Sequence, residues 1–172
     1  KILVIGGMHG NEPLGINLVK KLQKKPIKNI DVILANKQAI DHDCRYVTVD
    51  LNRSFPGSPT SEQYEQRRAD ELLKLCSQYD VVFDFHNTHC PDNDCSFVGE
   101  GTKQNLYDIS AWLGLNRVIV ADYDCINKYA SNCMSIEISL GSSKMNIGSW
   151  YRRIGELANL KTIPKAKNIE KY

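Results

Sequence analysis

The run Ile2–Val4–Ile5 ends on the glycine pair Gly6-Gly7, and the chain then passes through Met8-His9-Gly10-Asn11 into Glu12-Pro13. A short apolar run stopped by glycines reads as a buried strand. Pro13 suits the first turn of a helix, with Asn11 as a candidate cap. Leu14, Leu18, Val19 and Leu22 then recur at helical spacing until Pro26 closes the segment. A strand, a tight glycine turn and a helix within so few residues form the opening of a βαβ unit.

The alternation continues. VILAN (32–36) reads as a second strand, and a helix from about Glu62 to Gln78 carries Tyr64, Leu72, Leu75 and Tyr79 along one side, with Thr60 and Gln63 as a possible capping box. VVFDFH (81–86), FVGE (97–100), RVIVAD (117–122) and MSIEISLG (134–141) read as strands. Asn105–Leu113 and Ile147–Leu160 read as helices. Between 41 and 60 lies a polar segment with Pro56, Gly57 and Pro59, too long to be a mere connection, and loops of that length tend to be functional. Strands alternating with helices predict an α/β fold: a mostly parallel, mixed sheet with helices on both faces. Ligands of such sheets collect beyond the carboxyl ends of strands.

At 172 residues the chain is read as one domain, 1–172. A net charge of +2 gives no electrostatic case for nucleic acid or an acidic membrane surface, and the basic stretches Lys20–Lys28 and Lys161–Lys171 read as solvated faces. No apolar run is long enough to span a bilayer and no leader is visible before ILVIGG, so the expected setting is cytoplasmic. The six cysteines form no C-x-x-C pair. Cys90 and Cys95 flank PDND and could bridge in an oxidising compartment, but reduced thiols are the expectation.

Three residues near predicted strand ends share one chemistry. His9 and Glu12 form H-x-x-E on the first turn, and His86 closes the strand VVFDF. Two imidazoles and a carboxylate are the donor set of zinc sites that keep a fourth position open. Asp84, two residues before His86, would share its face and could orient the ring. His89 is a rival donor, although His86 and His89 together would need a turn between them. Glu137, a carboxylate between isoleucines, is out of place in a strand unless it faces a cleft, where it could take a proton from water. Arg45, Asn52 and Arg53 lie in the polar segment; an arginine can stabilise an oxyanion, and an Asn-Arg pair can grip a carboxylate. Arg67 and Arg68 read as salt-bridging or structural.

In order, GGMHGNE, RYVTVDLNRSF, YEQRRADE, DFHNTH and SIEISLG resemble the aspartoacylase and succinylglutamate desuccinylase family of zinc carboxypeptidase-like hydrolases. The resemblance extends from Lys1 to about Gly141. It implies a zinc carboxypeptidase-like (phosphorylase/hydrolase-like) fold, and one zinc per chain held by His9, Glu12 and His86. It also implies Glu137 as general base, Arg45 as carbonyl polariser, and Asn52 and Arg53 as the grip on the substrate's α-carboxylate. The implied activity is hydrolysis of the amide of a small N-acyl amino acid. Tyr129 matches a substrate-binding tyrosine of the family, and Cys133 stands where an arginine for a second carboxylate is expected. The family's C-terminal β-rich domain has no room in this length. A metallocarboxypeptidase acting on small peptides, and an inactive zinc-binding relict, are the competing readings.

Overall fold

The computed structural model describes residues 1–166 and 169–172; the basic stretch Lys161–Lys171 lies partly outside these. Seven strands form one sheet in the order β2-β1-β3-β6-β4-β5-β7. These are β1 (Ile2–Gly6), β2 (Ile30–Leu34), β3 (Val81–Thr88), β4 (Cys95–Gly99), β5 (Arg117–Ala121), β6 (Cys133–Ser139) and β7 (Glu170–Lys171). Every pairing is parallel except β4 with β6. The sheet is therefore mixed, as the alternating pattern predicts.

Period-two alternation divides the side chains between two helical layers. Val4, Phe83, Phe85, Ile136 and Ile138 pack under α1 (Pro13–Lys24), α4 (Gln104–Trp112) and α6 (Ile147–Asn159), which contribute Leu18, Ile109 and Trp150 among others. Leu3, Ile5, Val82 and Cys133 face the opposite layer, with Leu72 and Cys76 of α3 (Tyr64–Cys76) and Ile126 of α5 (Ile126–Tyr129). Each fully buried leucine or phenylalanine contributes about 1.5–3 kcal/mol from removal of apolar area from water. Asp84 and His86 share the parity of Val82, while Ser135 and Glu137 share that of Cys133. The polar residues of both central strands thus belong to the second face, which explains a glutamate between two buried isoleucines.

Local expectations fail where side chains are claimed by longer-range partners. Asn11 does not cap α1. Glu12 occupies the N-cap position without a side-chain cap bond, and Asn87 Oδ1 accepts from the Leu14 amide at 3.0 Å instead. The capping box at Thr60 and Gln63 does not form, and α3 starts two residues later than expected, at Tyr64. The polar segment holds the end of a short helix, α2 (Lys37–Asp41), and a 3-10 turn over Leu51–Arg53. The strand assigned at FVGE begins earlier, at Cys95. α5 and β7 are additions; α5 is too short to show a periodicity. All six cysteines are free thiols, Cys90 exposed and Cys95 buried. Among the described residues no helix is long and apolar enough to cross a membrane.

Candidate metal centre and cleft

The first donor loop leaves β1 through Gly7, whose φ of +70° is a conformation L side chains rarely adopt. Gly10 lies so close to the backbone of Ala39 that a Cβ there would overlap it. These two glycines let the loop fold tightly enough to bring His9 and Glu12 back over the end of β1. β3 runs beside β1, and its late residue His86 reaches the same place.

His9, Glu12 and His86 are all buried, and they offer ligand atoms within 4.8 Å of one another. His9 Nδ1 lies 2.7 Å from Glu12 Oε1, and His86 Nδ1 lies 3.0 Å from Glu12 Oε2. The two imidazoles therefore present the same ring nitrogen to one carboxylate. Their outer nitrogens are held by two further acids: His9 Nε2 is 3.1 Å from Asp50 Oδ1, and His86 Nε2 is 2.7 Å from Asp84 Oδ2. A metal-ligating histidine ordinarily has such a carboxylate on its second nitrogen, which fixes the tautomer and leaves the inner nitrogen for the ion. The donor chemistry and this outer ring of acids fit a metal ion with an open coordination position.

Electrostatics follow from the same geometry. Burial alone would lower the pKa of His9, but hydrogen bonds to Asp50 and Glu12 outweigh it and hold the imidazole above its ordinary value. His86 is pushed further up, because the charges of Asp84 and Glu12 overcome complete burial. Burial would raise Glu12, yet the two histidines bring it down to about 2. Asp50 is likewise held well below the usual carboxylate range, by His9 and by Arg45 against the effect of burial. Asn87 adds a neutral donor: its backbone N–H donates to Glu12 Oε2 at 3.1 Å.

A cleft of about 350 Å³ opens beside the donors and is lined by Glu137, Arg45, Asn52 and Arg53 together with Tyr123 and Asn127. Glu137 is paired in register with His86 on the adjacent parallel strand, so the two side chains share one face. Burial raises its carboxyl above the ordinary value, partly offset by His86. Arg45 forks onto Asp50 Oδ2 through Nε at 3.2 Å and Nη2 at 3.0 Å, while Nη1 stands 3.7 Å from Glu12 Oε1. Asn52 is buried, and its Oδ1 has no hydrogen-bond partner among the described residues. The guanidinium of Arg53 lies over the ring of Tyr123, 4.4 Å from its centroid.

Tyr129 and Cys133 both lie away from this cleft. The Tyr129 hydroxyl donates to Asp124 Oδ1 at 2.8 Å, and the residue borders a separate, larger cavity of about 620 Å³ with Leu73 and Asn132 that contains none of the metal donors. Cys133 is fully buried against α3 and α5, on the first residue of β6. The turn of α5 instead sends Asn127 inward, where its Nδ2 donates to the carbonyls of Phe97 and Cys133, both at 3.1 Å. Tyr123 and Asn127 line the cleft in this part of the chain. His89 and Cys90 border the cleft as exposed residues of the loop after β3, and His89 is not part of the donor cluster. Asp50 was the other residue missed. Its signal was local: an acid two residues before Asn52, whose backbone N–H it accepts at 2.9 Å.

With this geometry in place, the comparisons with known proteins agree on one group. The succinylglutamate desuccinylase/aspartoacylase catalytic domain matches residues 1–132. The chain belongs to that family. Among curated relatives, rat aspartoacylase (Rattus norvegicus) is 32% identical over 124 residues, covering 62% of this chain and 39% of the relative. The N-acyl-aromatic-L-amino acid amidohydrolase (carboxylate-forming) of Xenopus laevis is 35% identical over 104 residues, covering 51% and 34%. This chain therefore spans little more than a third of either protein. In fold it is similar to the succinylglutamate desuccinylase of Chromobacterium violaceum, with a TM-score of 0.79 at 19% identity over 96% of this chain and 63% of that one. Murine aminoacylase 3 gives 0.73 at 22% identity, over 92% and 63%. At such identities the likeness is one of fold, and it covers the whole sheet with its helices.

Proposed function

We propose that this chain carries the catalytic part of a zinc-dependent deacylase that hydrolyses the amide bond of a small N-acyl amino acid. One observation carries the reading: two imidazole Nδ1 atoms converge on the Glu12 carboxylate within a cleft that also holds Glu137 and two arginines. Family membership, and relatives named as aspartoacylase and N-acyl-aromatic amidohydrolase, support the same reaction type.

His9, Glu12 and His86 would hold one zinc ion. When bound there, zinc supplies Lewis acidity toward a carbonyl oxygen and toward water. Asp50 and Asp84 orient the two rings through their outer nitrogens. Glu137, whose carboxyl is raised by burial, takes a proton from the attacking water and returns it to the departing amine nitrogen. Arg45 has guanidinium N–H groups beyond those given to Asp50, and these face developing negative charge on the carbonyl oxygen. Arg53 and Asn52, deeper along the polar segment, receive the α-carboxylate, Arg53 by a two-pronged fork.

The test is release of free amine from N-acetyl, N-succinyl and N-formyl amino acids by zinc-loaded protein. Glu137→Gln should lower kcat about a hundredfold or more while zinc content is unchanged. Undiminished turnover in that variant removes Glu137 from the mechanism. Cleavage of short peptides with none of the N-acyl amino acids would transfer the assignment to a carboxypeptidase.

A further inference from the structure

The block YEQRRADE is the one matched segment that supplies nothing to the cleft, yet it contains the most deeply buried glutamate of the polar arm's surroundings. Glu65 lies in the first turn of α3 and has no solvent exposure. A carboxylate is seldom buried without a task, since its desolvation must be offset by donors. Its Oε1 accepts from the backbone N–H of Val47 at 2.9 Å and of Thr48 at 3.2 Å, with the buried Asn36 Nδ2 at 3.5 Å. Oε2 is buried and has no hydrogen-bond partner among the described residues.

Residues 45–48, the segment so held, are all exposed. Tyr46 and Val47 are 43% and 45% exposed, so their side chains do not anchor the backbone by burial. At its start the Arg45 carbonyl accepts from Gly10 N–H at 3.2 Å in the donor loop, and the Tyr46 carbonyl from Cys44 Sγ at 3.3 Å. Arg45 stands at the first of these attachments, and Asp50, which reaches His9, lies just beyond Val47 and Thr48. Three residues along α3, Arg68 donates to the carbonyls of Ala35 and Leu34 at 2.7 and 3.1 Å, fixing α3 to the end of β2. The helix is therefore itself anchored to the sheet.

We infer that Glu65 is a positioning residue: its buried carboxylate clamps the Arg45–Asp50 segment to α3 and so sets where the Arg45 guanidinium stands over the reacting carbonyl. The catalytic half of this statement rests on the deacylase reading; the clamp itself does not. Glu65→Ala should lower kcat roughly ten- to a hundredfold, since a displacement of about an ångström in a catalytic group has that effect. Zinc content should remain that of the parent. Glu65→Gln, whose carbonyl oxygen can still accept both N–H groups, should recover most of the rate. In an Arg45→Ala background the same Glu65→Ala change should cost less than about threefold, because the two residues act as one unit.

Hydrogen exchange at Val47 and Thr48 provides a readout independent of turnover. Both amides should exchange at least about tenfold faster in Glu65→Ala, with β1 and β3 unaffected. Should that variant fail to fold, Glu65→Asp, which keeps the charge and shortens the reach, should show the same local loss of protection. Equal rate losses in the two backgrounds would overturn the coupling to Arg45. Unchanged exchange at Val47 and Thr48 would overturn the clamp, and would do so even if the parent protein hydrolysed none of the N-acyl amino acids.

Discussion

The two halves of the cleft are built by different physics. His86 and Glu137 stand on adjacent central strands, in register, and His9 with Glu12 on a loop whose glycines pack against backbone. Arg45, Asp50, Asn52 and Arg53 stand on an irregular arm whose conformation is maintained by side-chain to backbone bonds: Glu65 to Val47 and Thr48, Asp50 to the Asn52 amide, Ser54 Oγ to the Asp50 carbonyl at 2.9 Å. Ladder hydrogen bonds and buried apolar neighbours constrain the first half cooperatively with the whole sheet. The second half reaches the core only through single side chains such as Leu51 and Phe55, and its polar residues stand on irregular backbone outside the ladder. On the proposed reading, the metal donors would sit on or directly against the sheet, and the groups that would meet the substrate on an irregular arm.

Removing the central carboxylate is the most severe way to break the comparison. Glu12→Ala deletes the group both imidazoles face and leaves two buried histidines, both with raised pKa values, opposed across the gap. Stoichiometric zinc binding and turnover should both be abolished. Metal analysis after gel filtration checks this, and a variant that retains a full equivalent of zinc would remove Glu12 from the donor set.

Arg45→Ala tests the other half. It should leave zinc content intact and reduce kcat about 10²–10³-fold, the range for loss of one oxyanion-stabilising donor. If zinc is lost as well, the halves are not separable, and the Asp50–His9 contact is the path by which they couple.

The donor half also carries a pH signature. Glu12 has its pKa lowered from 4.5 to about 2, so its stabilising effect is complete above 4.5 and is lost as pH falls toward that lower value. His9 and His86 are raised above 6.5, so theirs is complete below 6.5 and is lost as pH rises through the raised values. Chelator-treated protein should therefore gain most from this cluster between 4.5 and 6.5, and its Tm should decline as pH rises above 6.5. Zinc requires both Nδ1 atoms deprotonated, so the zinc-induced rise in Tm should grow over the same interval. A rise independent of pH would mean that the two rings do not give up protons to the metal.

The division between the halves also governs what could be read in advance. The strands announced themselves by apolar runs and glycine stops, His9 by the H-x-x-E turn after β1, His86 by its place late in β3, and Glu137 as a carboxylate between isoleucines in β6. Asp84 was legible by its parity with His86. Asp50 had only the weak local signal of an acid two residues before Asn52, because its partner His9 lies 41 residues away and its fork with Arg45, five residues earlier, forms within irregular backbone. Glu65 reads locally as a solvated first-turn acid favoured by the helix dipole. Only the tertiary placement of Val47 and Thr48 makes it a buried anchor. Tyr129 failed for want of periodicity. The segment from Tyr123 to Asn132 holds just one turn of helix, and in such a segment a tyrosine six positions earlier is an equally good candidate until the chain's direction is known.

The smallest expected effect sharpens the comparison at the outer end of the arm. Arg53 donates from Nη1 to the Asn52 carbonyl at 3.2 Å and stands over the Tyr123 ring, which itself belongs to the segment before α5. The stack joins two irregular segments, neither of them held by the sheet's ladder. Arg53→Lys keeps the charge but loses both the planar stack and the two-pronged fork. A cation over an aromatic face contributes about 0.5–1 kcal/mol at a partly exposed site, and the second prong of a fork a comparable amount. KM should therefore rise roughly five- to thirtyfold with kcat little changed, because the α-carboxylate would be gripped equally in the ground and transition states. Tyr123→Leu, which removes only the stacking face, should give the lower end of that range. A kcat loss as large as that of Arg45→Ala would instead assign Arg53 to the reacting carbonyl, and the arm would then have two polarising groups and no carboxylate grip.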